Sequence, residues 1–192
     1  GPAHANPIYL KSIAPYVKDG AWIGALFAQG GFDWAAAEAL GGAEELRRRN
    51  ITLFGLQHIP WICKAVEYGK SARMIGPKKE LHVAASPVEK APAVAQLMEQ
   101  LFDIPCTTIP NFMSLTLTPS NQIIHPARFY GIFSQEGLLK WDGKSGLDGK
   151  DIPFLYDEVD DFSAKCLQDI SDELQGIKNA LVQKYPELDL TA

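Results

Sequence analysis

The chain has 192 residues, 46% hydrophobic and 21% charged, an ordinary globular composition that excludes a disordered or collagen-like protein. Eighteen basic against 23 acidic residues leave a net charge of −5, and no basic run exceeds Arg47-Arg48-Arg49, so the electrostatic footprint of nucleic-acid binding is missing. No apolar run approaches the roughly 18 residues of a membrane span, and no basic segment leads into an apolar one at the start, which predicts a soluble, unsecreted chain.

The chain opens Gly1-Pro2-Ala3-His4 without a methionine, an end open to three readings: a tag remnant, a processed terminus or a piece of a longer protein. Ala21–Ala28, closed by Gln29-Gly30-Gly31, and Ile51–Leu56 are short apolar runs that predict buried strands. Between them, 34–49 is rich in Ala and Glu with arginines near its end, a helix-forming stretch that Gly41-Gly42 splits. Strand, helix and strand at this spacing predict a βαβ unit. Ala72–Ile75 and Leu81–Ala85 read as short strands joined in a hairpin through Gly76-Pro77-Lys78-Lys79. Ser86-Pro87 with Glu89 begins a helix whose apolar face is Val94, Leu97, Met98 and Leu101, and Ile104–Ile109 is a further strand. The expected class is α/β, with part of an open sheet over residues 1–110.

After Pro110 the texture changes. Met113–Phe133 is apolar without alternation and predicts a buried helix interrupted by Pro119 and Pro126. Residues 134–153, with Trp141 among glycines, read as a long loop. Val159, Phe162, Cys166, Ile170, Leu174, Ile177 and Leu181 then recur at spacings of three and four, the stripe of an amphipathic helix facing a core. Residues 111–192 are expected to form a second, helical domain.

Four histidines are candidates for chemistry. His125 lies in an apolar run where a titratable ring is costly unless partnered, with Asn121 one helical turn earlier; a hydrogen-bonded core residue and a functional one remain open. His4, His58 and His82 have no neighbour at metal-ligand spacing apart from Glu80 two residues before His82, so no metal site is expected. Gln57-His58-Ile59-Pro60-Trp61 and Gln29-Gly30-Gly31 each follow a predicted strand, where open α/β sheets bind ligands, although plain turns explain them as well. Cys63, Cys106 and Cys166 are odd in number and widely spaced, which fits reduced, buried thiols in the cytosol. Gly-x-Ser-x-Gly, Walker and Gly-x-Gly-x-x-Gly motifs do not occur in the sequence.

Pro2-Ala3, Ala14-Pro15-Tyr16-Val17, Gln29 with Gly31-Phe32, Pro60-Trp61-Ile62-Cys63, His125-Pro126-Ala127 and Trp141-Asp142-Gly143 follow one another in the order seen in opine dehydrogenases. The chain resembles that family, particularly the octopine dehydrogenase-like enzymes of invertebrates, over nearly its whole length. The resemblance implies the second half of a Rossmann-like NAD-binding domain followed by the start of an α-helical domain. It implies a cytoplasmic, monomeric NAD-dependent oxidoreductase of anaerobic glycolysis that condenses an amino acid with a 2-oxo acid, usually pyruvate, and reduces the imine. Its partners are then small-molecule substrates, with no nucleic acid or membrane. His125 matches the catalytic acid/base, Pro2 and Ala3 the loop beside the cofactor, and Gln29 a polar residue facing the oxo acid. Gln57 and His58 match a Glu and a Thr that contact substrates, and Asn121 joins that substrate set.

The departures bear on substrate and completeness. A neutral Gln57 cannot pair with a guanidinium as a carboxylate can, so a small zwitterion such as alanine, glycine, β-alanine or taurine is expected in place of arginine. His58 adds bulk and a titratable group where the family has Thr, and is compatible with a non-catalytic homologue acting as a binding module. A ketopantoate reductase relative is disfavoured because Met113–Phe133 contains no Lys. The family's glycine-rich loop, and the Arg and Asp that assist the His, are expected outside these residues, so the chain is read as an internal piece that binds NADH poorly alone. The exposed edge of a half-sheet predicts self-association of the isolated 192 residues. A sharp, reversible, monomeric thermal transition in sedimentation-controlled melts would contradict it.

Overall fold

The computed structural model describes residues 3–140 and 152–190. They form two compact units, one running to Thr118 and taking in Asp189, the other spanning Pro119–Leu188. No helix among the described residues is long and apolar enough to cross a membrane.

The first unit begins with a 3-10 turn at Ala3–Ala5 and a helix, α1 (Asn6–Ile13), that the sequence reading missed. Its only buried residue is Leu10, while Ile8, Tyr9 and Ile13 are exposed, so the stretch carries no helical periodicity. Strand β1 (Trp22–Ala25), helices α2 (Phe32–Ala39) and α3 (Ala43–Arg48), and strand β2 (Thr52–Leu56) make the expected βαβ unit, with β1 and β2 parallel. The two helices part at Gly41 and Gly42, both at positive φ, which a side chain rarely adopts.

The next pairing differs from the expected hairpin. Strand β3 (Trp61–Glu67) pairs antiparallel with β4 (Ser71–Pro77) in a separate two-stranded ribbon, exposed along nearly its whole length. Ala72–Ile75 therefore turns back on Trp61–Glu67, through Tyr68-Gly69 with Gly69 at φ +71°, instead of forward on Leu81–Ala85. Strand β5 (Leu81–Ser86) enters the main sheet beside β2, antiparallel, and β6 (Cys106–Thr108) lies parallel to β5, giving the order β1-β2-β5-β6. The class is α/β as expected, with a mixed sheet.

Alternation along the strands feeds two cores. Leu53 and Ala84 point to one side with Phe32, Ala36, Leu40 and Leu46 of α2 and α3 and Phe112 and Leu115 of α5 (Phe112–Thr116). Leu56, Leu81, Val83 and Ala85 point to the other, against α4 (Ala91–Phe102). The buried stripe of α4 is Ala91, Val94, Ala95 and Met98; Leu97 and Leu101, expected on that face, are exposed. The small alanines let the helix approach the sheet, so the stripe is centred on them and not on the bulkier leucines. Asn111 caps α5, its Oδ1 accepting from Ser114 N at 3.0 Å, and its Nδ2 donates to Asp189 O at 2.8 Å.

In the second unit α6 (Asn121–Phe133) packs on α8 (Asp161–Lys184), with the short α7 (Gln135–Lys140) between them in sequence, inside the stretch read as a loop. The long apolar stretch breaks between α5 and α6, around Pro119, but Pro126 sits inside α6. Pro126 has no N–H to offer the carbonyl of Gln122 one turn back, and Gln122 lies in the exposed first turn of the helix. Asp160 caps α8 by accepting from Ser163 N at 2.7 Å. The expected stripe of α8 is half-buried at Phe162, Cys166, Ile170, Leu174 and Leu181 and exposed at Val159 and Ile177.

The centre of this unit is charged. Arg128 is only 2% exposed. Its Nη1 donates to Ser163 Oγ at 2.7 Å, its Nε to Leu155 O at 3.3 Å, and its Nη2 to the carbonyls of Phe154, Asp157 and Glu158 at 3.1, 3.3 and 3.1 Å. Gly131, one turn on, makes room for Ser163, because a Cβ there would stand 2.1 Å from its Oγ.

Two substitutions test these packings. Gly55→Ala would place a Cβ 2.2 Å from that of Ala28 and 3.0 Å from the Phe112 ring, and is expected to cost about 2 kcal/mol or more by overpacking, read as a lower denaturation midpoint. Arg128→Met is expected to cost about 3 kcal/mol, because it strands several carbonyls that have no other donor in place. An unchanged urea midpoint for either variant would contradict the corresponding packing account.

Candidate active site

The carboxyl ends of β1 and β2 carry the polar residues of the first unit. Gln29 follows β1 and is 2% exposed. Its Nε2 donates to Gln57 O at 2.9 Å and to Thr118 O at 3.3 Å. Gln57, after β2, donates its own Nε2 to Thr118 Oγ1 at 2.6 Å, and that hydroxyl donates to Ser114 O at 2.8 Å. Gln29, Gln57 and Thr118 thus tie the two strand ends to the end of α5. The glycine turn after Gln29 has Gly30 and Gly31 at φ +75° and +76°. Ala3 packs there, 3.5 Å from where a Cβ on Gly30 would stand. Burial raises the carboxyl of Asp33, in the first turn of α2, above the ordinary carboxylate range, against an opposing pull from the backbone of Asp33 and Trp34.

His58 is half-buried beside Gln57. Burial pushes its imidazole below the ordinary value, and Lys78 and His82 push the same way by charge, so His58 is neutral at pH 7 and brings no charge to this edge. His82 is engaged elsewhere, its Nδ1 lying 2.8 Å from Thr107 Oγ1 on β6. Pro60 is buried and Trp61 opens β3 with its ring edge-on to Phe102 at 5.2 Å, so this pair anchors the base of the ribbon. Cys63 is exposed, against the expectation of a buried thiol, because it lies on that ribbon. Burial and then Glu99 and Glu80 push the Cys106 thiol up, and burial with nearby carboxylates does the same at Cys166, so neither is an activated nucleophile. No cluster of three metal-ligating side chains occurs among the described residues.

The second unit holds His125 and Asn121. His125 is half-buried on α6 and its Nε2 lies 2.6 Å from Tyr156 Oη. The Tyr156 ring is 5.9 Å from the imidazole and Phe129 is 6.4 Å away on the other side. Asn121 begins α6, exposed, one turn before His125 and without a hydrogen bond to it among the described residues. Pro2 and the Trp141-Asp142-Gly143 segment lie outside the described residues.

The sequence reading missed Thr118, Arg128 and Tyr156. Arg128 was visible as the one charge in an apolar helix, three residues after His125. Tyr156 had no signal, because segment 152–160 is irregular and its meeting with His125 spans 31 positions.

Residues 108–191 match the family described as NAD/NADP octopine/nopaline dehydrogenase, alpha-helical domain. An uncharacterized protein of Sinorhizobium fredii is 36% identical over 136 residues, covering 68% of this chain and 35% of that protein. The octopine dehydrogenase of Mizuhopecten yessoensis is 27% identical over 194 residues, covering 99% of this chain and 45% of the enzyme. A solved octopine dehydrogenase with NADH and pyruvate superposes with a TM-score of 0.76 at 25% identity, over 100% of this chain and 46% of that one. The chain therefore spans about half the length of the octopine dehydrogenases it matches. The chain is similar to octopine dehydrogenases along nearly its whole length, and residues 108–191 match their helical-domain family.

Proposed function

We propose that the chain contributes to an NADH-dependent opine dehydrogenase that condenses an amino acid with pyruvate and reduces the resulting C=N bond. The observation that carries this reading is the similarity of 99% of the chain to octopine dehydrogenase, and His125, in the His125-Pro126-Ala127 motif that resembles the family's, is proposed as the acid/base. In the structure the His125 ring is half-buried on a helix, with Tyr156 Oη 2.6 Å from its Nε2. NADH, when bound, supplies the hydride.

The chain's own residues fit part of such a cofactor site. Ala3, packed on the Gly30 turn, is proposed with Pro2 as the cofactor-side edge. His125 holds the proton that the 2-oxo oxygen needs to leave as water once the amine has added to its carbon. Gln57, with Gln29 fixing its backbone, and His58 form an uncharged edge that is proposed to accept the amino acid, and Asn121 is proposed to contact the substrate from α6. An edge without a carboxylate favours a small zwitterion over arginine.

Oxidation of NADH is the measurement, with pyruvate and a panel of alanine, glycine, β-alanine, taurine and arginine. It is made on this chain and on the protein expressed from its complete reading frame. Turnover is expected with a small zwitterion ahead of arginine, and His125→Ala is expected to lower it about 100-fold or more. Gln57→Glu is expected to raise the share of arginine. Absence of turnover in every preparation would replace this reading with a non-catalytic binding module.

A further inference from the structure

Gln57 is held from three separate parts of the first unit. Its N–H donates to His82 O on β5 at 3.0 Å, its carbonyl accepts from Gln29 Nε2 at 2.9 Å, and its side-chain Nε2 donates to Thr118 Oγ1 at 2.6 Å. The last of these bonds has a fixed direction. The Thr118 hydroxyl has a single proton, which it gives to the carbonyls at the end of α5, Ser114 O at 2.8 Å and Leu115 O at 3.3 Å, so toward Gln57 it can only accept. The group that faces it is therefore the NH2 of the Gln57 amide, and the amide oxygen Oε1 is turned away from Thr118.

As a brace this bond is redundant. Gln29, which is buried, already joins the same two segments, since its Nε2 donates both to Gln57 O and to Thr118 O. Gln57 by contrast is half-buried, and a side chain that keeps surface while its neighbours lock its orientation is preorganised to recognise something. We infer that Thr118 is a positioning residue for the amino-acid substrate: by accepting from Nε2 it aims Oε1 of Gln57 at the amine that adds to the 2-oxo carbon. An uncharged oxygen that accepts one N–H leaves the nitrogen lone pair free to add, whereas a carboxylate in its place would favour the ammonium form, which has no lone pair. The inference rests on the proposed function, and names the atom by which this edge reads its substrate and the residue that aims it.

Two measurements on the protein expressed from its complete reading frame test it. The side-chain NH2 of Gln57, assigned with Gln57→Met in nitrogen-15-labelled protein, is expected to keep a slowly exchanging proton in the native protein and in Thr118→Ser. Thr118→Val, whose methyl cannot accept, is expected to lose it. In steady-state kinetics Thr118→Val is expected to raise KM for the amino acid that turns over about fivefold, with kcat and KM for pyruvate within about twofold of native, as the loss of one aimed hydrogen bond requires. Thr118→Ser is expected to restore the native KM. With Gln57→Met already in place, Thr118→Val is expected to add no further change to it. An equal effect of Thr118→Val in both backgrounds would make Thr118 a structural residue and overturn the inference, as would an unchanged KM or an unchanged exchange rate in Thr118→Val. Any of these, with turnover still lost in His125→Ala, leaves the proposed function standing. Absence of turnover in every preparation, whatever the exchange shows, overturns that function and the substrate role of Thr118 with it.

Discussion

One buried cation organises the second unit. Arg128 is among the most deeply buried side chains described, and a guanidinium without water must have its donors met or the helix that carries it would not fold inward. The chain meets them with backbone carbonyls of 154–158 and with Ser163. An irregular segment is thereby fixed to α6, and the α6–α8 packing is fixed with it through Ser163 at the start of α8, which Asp160 caps. Gly131 belongs to the same arrangement, because no larger residue lets Ser163 come within reach of the guanidinium.

The first unit solves a comparable problem with neutral groups. Strand ends in an α/β sheet leave polar backbone at the edge where ligands bind, and Gln29 and Gln57 bind that edge to Thr118. Gln29 is buried and its amide nitrogen donates to the carbonyls of Gln57 and Thr118, so it fixes the backbone that follows β2. His58 adds no charge there, since burial, Lys78 and His82 together keep it neutral.

Much of this was legible where a local pattern coincided with a tertiary demand. The β1–β2 unit was readable because both strands are short apolar runs separated by a helix-forming stretch, and α6 was readable as helical because it lies in an apolar run too long for one strand and without alternation. The hairpin partner of 71–77 was not, because strand pairing is chosen by long-range packing and the ribbon lies outside the main sheet, with no buried face to impose register. The α4 stripe was misplaced by one step, since a search for large apolar residues passes over the alanines that actually touch the sheet. Position and residue type singled out His125, Gln29 and Gln57, but their partners Tyr156 and Thr118 lie 31 and 61 residues away from His125 and Gln57.

One turn of α6 separates His125, the residue proposed to handle the proton, from Arg128, the residue that anchors the 154–158 segment. His125 is half-exposed and adaptable, whereas Arg128 three positions later is fixed by five hydrogen bonds. The buried fork one turn away holds the backbone of 154–158, and with it the Tyr156 hydroxyl beside the imidazole, while the ring stays half-exposed. The contact from hydroxyl to ring is therefore only as well defined as the guanidinium behind it, so the packing of this unit and the placement of Tyr156 against His125 depend on the same hydrogen bonds.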